Sequence, residues 1–201
     1  MSSFNNQIHF ILGSGSSRRK VLLNQIGIIP NIILKPEINE DIFAKELPLT
    51  YLNRIVQKKM KIIKKKYPES LILTADTIVC VGRRILKKTS NKEEAKNYLE
   101  LLSGRRHRVI TGICMASPSF KQRIKSVTSI IKFKRLSLEE INFYLKTNEW
   151  KNKAGGYAIQ GIASRYVNFI SGSYSNVVGL PLSNVYRLLI SAGYITNNEN
   201  S

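Results

Sequence analysis

The sequence is short of the residues that staple a fold or ligate a structural metal. Two cysteines, Cys80 and Cys114, in 201 residues make no disulfide framework, and with only His9 and His107 no Cys/His spacing for structural zinc exists. Both cysteines stand in apolar segments, which predicts buried, reduced thiols. No apolar run approaches the roughly 18 residues of a membrane span. The opening MSSFNNQIHF lacks the basic start and long apolar core of a secretory leader, so a cytoplasmic protein with no membrane partner is expected. No Gly-Lys-Ser/Thr occurs, which excludes a Walker loop, and the spacing of a dinucleotide-binding GxGxxG is missing too. There is no internal repeat or low-complexity linker, and residues 1–201 are read as one domain.

Acidic residues are also scarce. Thirteen Asp and Glu against 32 Lys and Arg give a net charge of +19, which attracts polyanions and makes nucleic acid one candidate partner. The joint richness in Lys, Asn and Ile is equally the signature of A/T-rich codons, and that compositional reading is favoured. The run KKMKIIKKKY, residues 58–67, reads as the solvated face of a helix, and the aromatics form no RNA-stacking pattern.

What is present is a 43% hydrophobic chain, enough for a core. IHFIL, residues 8–12, is a short buried strand ending in a Gly/Ser turn. A helix over residues 18–26 stops at Gly27, with Val21, Leu22 and Ile26 expected inward. IIPNIILK is extended and, with its proline, limited to an edge or an irregular strand. A long helix over residues 49–66 carries Leu52, Ile55, Val56, Ile62 and Ile63 at helical spacing and ends at Pro68. LILTADTIVCV is a buried strand with a short return after Gly82 and Arg83.

Ser90 with Glu93 reads as a capping box for a helix ending at Gly104, and Ser137 with Glu140 as another. Between them run two strands turning near residues 117–120. A strand near RYVNFI and a last helix before Gly193 follow. Antiparallel neighbours among alternating strands and helices predict an α/β fold with a mixed twisted sheet flanked by helices, against a pure Rossmann fold.

Three stretches carry chemistry. LGSGSSRR, residues 12–19, sets a Gly/Ser turn before a helix: exposed N–H groups, a helix N-terminus and two guanidiniums make a phosphate cradle, or else a capped surface helix with two solvated arginines. Asp76, inside an apolar run at what reads as the end of a strand, binds a divalent metal, or deprotonates water, or is a loop aspartate bonded to Thr74 or Thr77. PEINE, with Glu37 and Glu40, is an acidic loop.

Together these stretches resemble the Maf family of nucleoside triphosphate pyrophosphatases, relatives of the inosine triphosphatase-like fold. The family's Leu-Ala-Ser-x-Ser-Pro-Arg-Arg is matched from Leu12 to Arg19, its Pro-Asp-x-Asp-Glu from Pro36 to Glu40, and its Lys-Ala by Lys59 and Met60. Ala-Asp-Thr is kept as Ala75-Asp76-Thr77, and Leu-Gly-Lys-Pro is represented by Leu86-Lys87-Lys88-Thr89. LSGRRHRVITG, KNKAGGYAIQG and GSYSNVVGLPL complete the match, which runs from about Ile8 to Ala192.

The resemblance implies two closely joined lobes with a cleft between them, a homodimer, and hydrolysis of a nucleoside triphosphate between its α and β phosphates. It makes Asp76 the general base and a metal ligand, with Glu40 as the second metal carboxylate for Mg²⁺ or Mn²⁺. Ser14, Arg18, Arg19, Lys59 and Lys88 would neutralise the triphosphate. Arg18, Thr77 and Gln160 resemble the branch acting on dTTP and UTP, the amide and hydroxyl suiting the O4 and N3–H edge of uracil or thymine. The alternatives are the branch acting on 7-methyl-GTP, and a non-catalytic binder of nucleic acid or a division protein through the basic surface. His107 is read as structural, because the reaction needs no imidazole. Departures from the family pattern are Ser17 for proline, Asn39 and Asn152 for acids, Met60 for a small residue and Thr89 for proline.

Overall fold

The computed structural model describes residues 2–4 and 8–197. In chain order it holds β1 (Ser2–Phe4), β2 (Phe10–Gly13), α1 (Ser17–Gln25), β3 (Ile32–Ile33), α2 (Pro48–Lys66), β4 (Leu71–Val81), β5 (Arg84–Leu86), β6 (Lys88–Thr89) and α3 (Lys92–Leu102). Then come β7 (Arg106–Ser117), β8 (Phe120–Phe133), α4 (Leu138–Lys146), β9 (Lys153–Ala154), a 3₁₀ turn (Ile162–Tyr166), β10 (Val167–Ser171), α5 (Tyr174–Val178), α6 (Leu182–Ser191) and β11 (Ile195–Asn197).

The central sheet is mixed, as expected. Its order is β10-β8-β7-β4-β2-β3, with β5 paired to β4. β2 lies parallel to β3 on one side and to β4 on the other, while β4–β7, β7–β8 and β8–β10 are antiparallel. Side chains alternate between two cores along β4. Leu71, Leu73, Ala75 and Val79 enter the larger core with α1, α3, α4 and α6, whereas Ile72, Ile78 and Cys80 pack beneath α2.

That arrangement places a site before any chemistry is considered. From β2 the chain crosses to β3 on one side and later to β4 on the other, with α1 and α2 on opposite faces. A crevice therefore opens beyond the carboxyl end of β2, at a topological switch point. β2 ends with Gly13 opposite Thr74, so β4 runs on past it, and Asp76 lies two residues beyond that last pair. Asp76 is thus in the middle of a long strand rather than at its end, and it reaches the crevice because the neighbouring strand is short.

Several local expectations shift for identifiable reasons. α1 turns Arg19, Leu22 and Leu23 inward and leaves Val21 exposed, because a buried arginine sets its rotation. On α2, Ile62 is exposed, lying off the stripe of Leu52, Ile55, Val56, Lys59, Met60 and Ile63. α3 is capped by Asn91, whose side chain accepts from Glu94 N, rather than by Ser90 with Glu93. The capping box of Ser137 and Glu140 is complete. Cys80 and Cys114 are free and buried, with burial pushing both thiol pKa values up, to about 11 and about 12. Among the described residues no helix is long and apolar enough to cross a membrane.

Candidate active site

A cleft of about 560 Å³ opens at the switch point. Its lining includes every residue to which the family resemblance assigned a site role: Ser14, Arg18, Arg19, Glu40, Lys59, Asp76, Thr77, Lys88 and Gln160. One wall is the turn after β2 with the start of α1. The facing wall is β6, β9 and the segment through Gln160, joined by the antiparallel pairing of Lys88 with Ala154 and Thr89 with Lys153.

The turn is built as an anion cradle. Ser16 precedes α1 without a side-chain cap, and although Arg19 N bonds Ser16 O at 3.1 Å, the Ser17 and Arg18 N–H groups have no acceptor among the described residues and stay open at the positive end of the helix. Ser14 Oγ accepts from Ser16 N at 3.3 Å and from Arg19 at 2.6 Å, which leaves its proton to donate. Gly13 has no room for a side chain: a Cβ would collide with Ile63 and Thr74, so glycine lets α2 approach the sheet there.

The two arginines do different things. Arg19 is buried and its guanidinium donates to four protein acceptors: Gly179 O at 2.8 Å, Ser14 Oγ at 2.6 Å, Ala75 O at 3.0 Å and Thr77 Oγ1 at 3.0 Å. It ties the turn, β4 and the end of α5 together. Arg18 donates Nε to Val178 O at 3.3 Å, and in the cleft lining its two terminal nitrogens have no hydrogen-bond partner among the described residues. Burial lowers the pKa of both, an effect offset for Arg19 by nearby Asp76.

On the opposite face of the sheet, α2 delivers Lys59 to the carboxylates. Lys59 Nζ lies 2.6 Å from Glu40 Oε1 and 3.0 Å from Asp76 Oδ1. Both carboxylates therefore flank one point. The loop carrying Glu40 is held by the same helix: Tyr51 donates to Glu40 O at 3.0 Å, and Arg54 donates to Asp41 O at 2.7 Å and pairs with Glu46 through two bonds of 2.6 Å. Arg54 in turn keeps the Glu46 carboxyl below its ordinary range. Asp76 Oδ2 makes no hydrogen bond to the described residues. Among those residues no cluster of three His, Cys, Asp or Glu exists, so Asp76 and Glu40 are the two carboxylates the cleft offers to a cation. That donor set suits a hard divalent ion completed by phosphate oxygens and water.

The structure adds two cations that the sequence reading passed over, Lys35 and Lys153. Lys35 follows β3, which Leu34 N bonded to Leu12 O sets beside the turn, and its stem lies against Gly15. Lys153 comes in on β9; burial and then Arg18 lower its pKa. The lining thus carries six cations (Arg18, Arg19, Lys35, Lys59, Lys88, Lys153) against two carboxylates, a balance suited to a polyanionic ligand. The inner end is apolar, formed by Val79, Val109, Tyr157, Ile159 and Val177.

The departures noted in the sequence are accommodated. Thr89 Oγ1 accepts from Asn91 N at 3.0 Å, Asn152 accepts from Ser90 Oγ at 3.0 Å, Asn39 accepts from Asp41 N at 2.6 Å, and Met60 fills the core under α2. His107 is buried, bonded through Nε2 to the Tyr157 hydroxyl at 2.8 Å beneath the apolar end, a structural placement.

Comparison with known proteins gives this site a lineage. Residues 9–192 match the family model described as Maf-like protein. The dTTP/UTP pyrophosphatase of Wolbachia sp. subsp. Drosophila simulans (strain wRi) is 50% identical over 188 residues, 93% of each chain. The protein of the same name from Wolbachia sp. subsp. Brugia malayi (strain TRS) is 49% identical over 90% of this chain and 92% of its own. A nucleoside triphosphate pyrophosphatase of Ehrlichia chaffeensis is 45% identical over 94% and 97%. With the family model matching residues 9–192 of the chain and relatives at such identity, the chain belongs to the Maf family.

Proposed function

We propose that this protein is a nucleoside triphosphate pyrophosphatase that hydrolyses dTTP and UTP to the monophosphate and pyrophosphate, the activity named for its Wolbachia relatives. The observation that carries the reading is the joining, in one cleft, of an open anion cradle with the Asp76, Glu40 and Lys59 cluster and a group of apolar side chains. The pyrimidine lies against Val79, Val109, Tyr157 and Val177, with Thr77 and Gln160 at its polar edge. The triphosphate runs along residues 13–18, met by the Ser14 hydroxyl, Arg18, Lys35, Lys88 and Lys153.

Asp76, through its unbonded Oδ2, takes a proton from water as the water oxygen bonds the α-phosphorus. The bond from that phosphorus to the bridging oxygen breaks and pyrophosphate leaves. Lys59, bonded to Oδ1, holds the carboxylate's orientation and lies between it and Glu40. Asp76 and Glu40 would hold a magnesium or manganese ion, which would supply charge neutralisation for the phosphate oxygens. The cations of the cradle stabilise charge developing on the leaving group.

The test is pyrophosphate release from dTTP, UTP, CTP, GTP, ATP and 7-methyl-GTP with Mg²⁺ or Mn²⁺, wild type beside Asp76→Asn. Preferential turnover of dTTP and UTP, lowered about 10²- to 10⁴-fold in the variant, supports the reading. Preference for 7-methyl-GTP transfers the assignment to the other branch, and no turnover with either metal overturns it.

A further inference from the structure

We infer that Thr111, a buried residue outside the cleft lining, sets the base preference by fixing the Thr77 hydroxyl as a hydrogen-bond acceptor toward the ligand. This rests on the proposed function, in which Thr77 meets the pyrimidine edge.

Thr77 and Thr111 are directly paired across β4 and β7, and their hydroxyl oxygens lie 2.9 Å apart. A hydroxyl has one proton and two lone pairs. Thr111 gives its proton to the buried Asn176 carbonyl at 3.1 Å, which has no other hydrogen-bond donor among the described residues. The short contact between the two hydroxyls must then be filled by the proton of Thr77. The other acceptor within reach, Gly179 O, is farther at 3.3 Å and is shared with Arg19 Nε at 2.8 Å, and giving it the proton would leave the two hydroxyl oxygens 2.9 Å apart with none between them. Arg19 also donates to Thr77 Oγ1 at 3.0 Å and occupies one lone pair. The polarity is therefore fixed from Arg19 through Thr77 and Thr111 to Asn176 O. Thr77 keeps one lone pair and no proton.

A side chain in that state accepts an imide N3–H, as in uracil and thymine, and cannot satisfy the unprotonated N3 of cytosine. Pairing acceptor against acceptor in a half-buried site leaves both unsatisfied, which is the strong form of discrimination. Without the Thr111 hydroxyl, the Thr77 proton is no longer drawn to Thr111 and can turn between the longer Gly179 O contact and the ligand, so the site serves either base.

The experiment compares kcat/KM for UTP and CTP in wild type, Thr111→Val and Thr111→Ser. Wild type prefers UTP. Thr111→Val lowers the UTP:CTP ratio by about tenfold or more, chiefly by raising CTP turnover relative to UTP, while Thr111→Ser keeps the ratio within about twofold. Should the valine variant lose its near-UV CD spectrum, Thr111→Ala makes the same comparison. A folded variant without the hydroxyl that turns over UTP at an unmoved ratio overturns the assignment to Thr111 alone. So does a serine variant whose ratio shifts as far as the valine variant's, or a wild type indifferent between the two bases. A wild type with no UTP turnover overturns the proposed function and this inference with it.

Discussion

Lys59 reaches Asp76 across the packing face of α2, its ammonium 3.0 Å from Asp76 Oδ1 with both side chains almost wholly buried. An ion pair in that position is held there by need. Helix α2 comes close because Gly112, opposite Asp76 in the sheet, has no Cβ to meet Leu52. The lysine then arrives where two carboxylates would otherwise face each other. Removing it leaves Asp76 buried and uncompensated.

Lys59→Met is therefore expected to lower stability by about 3 kcal/mol, the lower end of what breaking a buried pair costs, because Glu40 remains partly solvated. Urea unfolding of wild type and variant measures this. Asp76→Asn, which keeps a polar partner for Lys59, should cost less stability but nearly all of the turnover. Equal losses of stability in the two would contradict this account of the cluster.

His107 gives the fold an acid-side weakness. Burial lowers its pKa from 6.5 to about 4, so the ring stays neutral in the fold where an unfolded histidine takes up a proton. Between those values the unfolded chain binds more protons, and stability falls as pH drops from 6.5 toward 4; above 6.5 the group adds no slope. The full effect is about 3 kcal/mol at 1.36 kcal/mol per pKa unit. Urea midpoints at pH 7 and pH 5 should separate for wild type and converge for His107→Gln. An unchanged separation in the variant would place the acid sensitivity elsewhere.

The start of α3 offers a smaller and sharper test. Asn91 is the cap, and Asn91→Ala should cost about 1 kcal/mol, read as a lower melting temperature. Ser90 bonds only the exposed Asn152 side chain, so Ser90→Ala should change stability by less than about 0.5 kcal/mol. Sequence alone favoured Ser90 because Ser-x-x-Glu matches the capping pattern, and the neighbouring Asn-x-x-Glu matches it no worse in donor chemistry. Geometry chose between them: Thr89 Oγ1 holds Asn91 N, turning the chain so that the Asn91 side chain reaches Glu94 N.

Much of the site was legible because its parts are local. β4 is an unbroken apolar run interrupted by one aspartate, and α2 repeats its apolar positions at helical spacing, so both elements and the oddity of Asp76 stand out. Lys35 and Lys153 did not stand out, since each is one lysine among many. Only strand pairings spanning over twenty residues (β2 with β3) and over sixty (β6 with β9) bring them into the cleft. The rotation of α1 was missed for another reason. Pattern reading puts arginine in solvent and Val21 inside, whereas Arg19 finds four acceptors within the fold and turns the helix to reach them.

That difference between adjacent arginines separates binding from architecture. Arg18 has two terminal nitrogens open to the cleft, so Arg18→Ala should raise KM for UTP by about tenfold or more, the worth of a charge-assisted hydrogen bond, with the melting temperature nearly unchanged. Arg19→Ala removes a strut. The Gly179 and Ala75 carbonyls and the Ser14 and Thr77 hydroxyls each lose a buried donor, and a stability loss of about 3 kcal/mol or more is expected. Arg19→Lys cannot restore it, because a single ammonium does not span four acceptors fixed on three segments. Paired measurements of KM and unfolding midpoint on these variants decide the matter. If Arg19→Ala instead melts like wild type and only raises KM, the four contacts are incidental, and both arginines belong to the phosphate cradle.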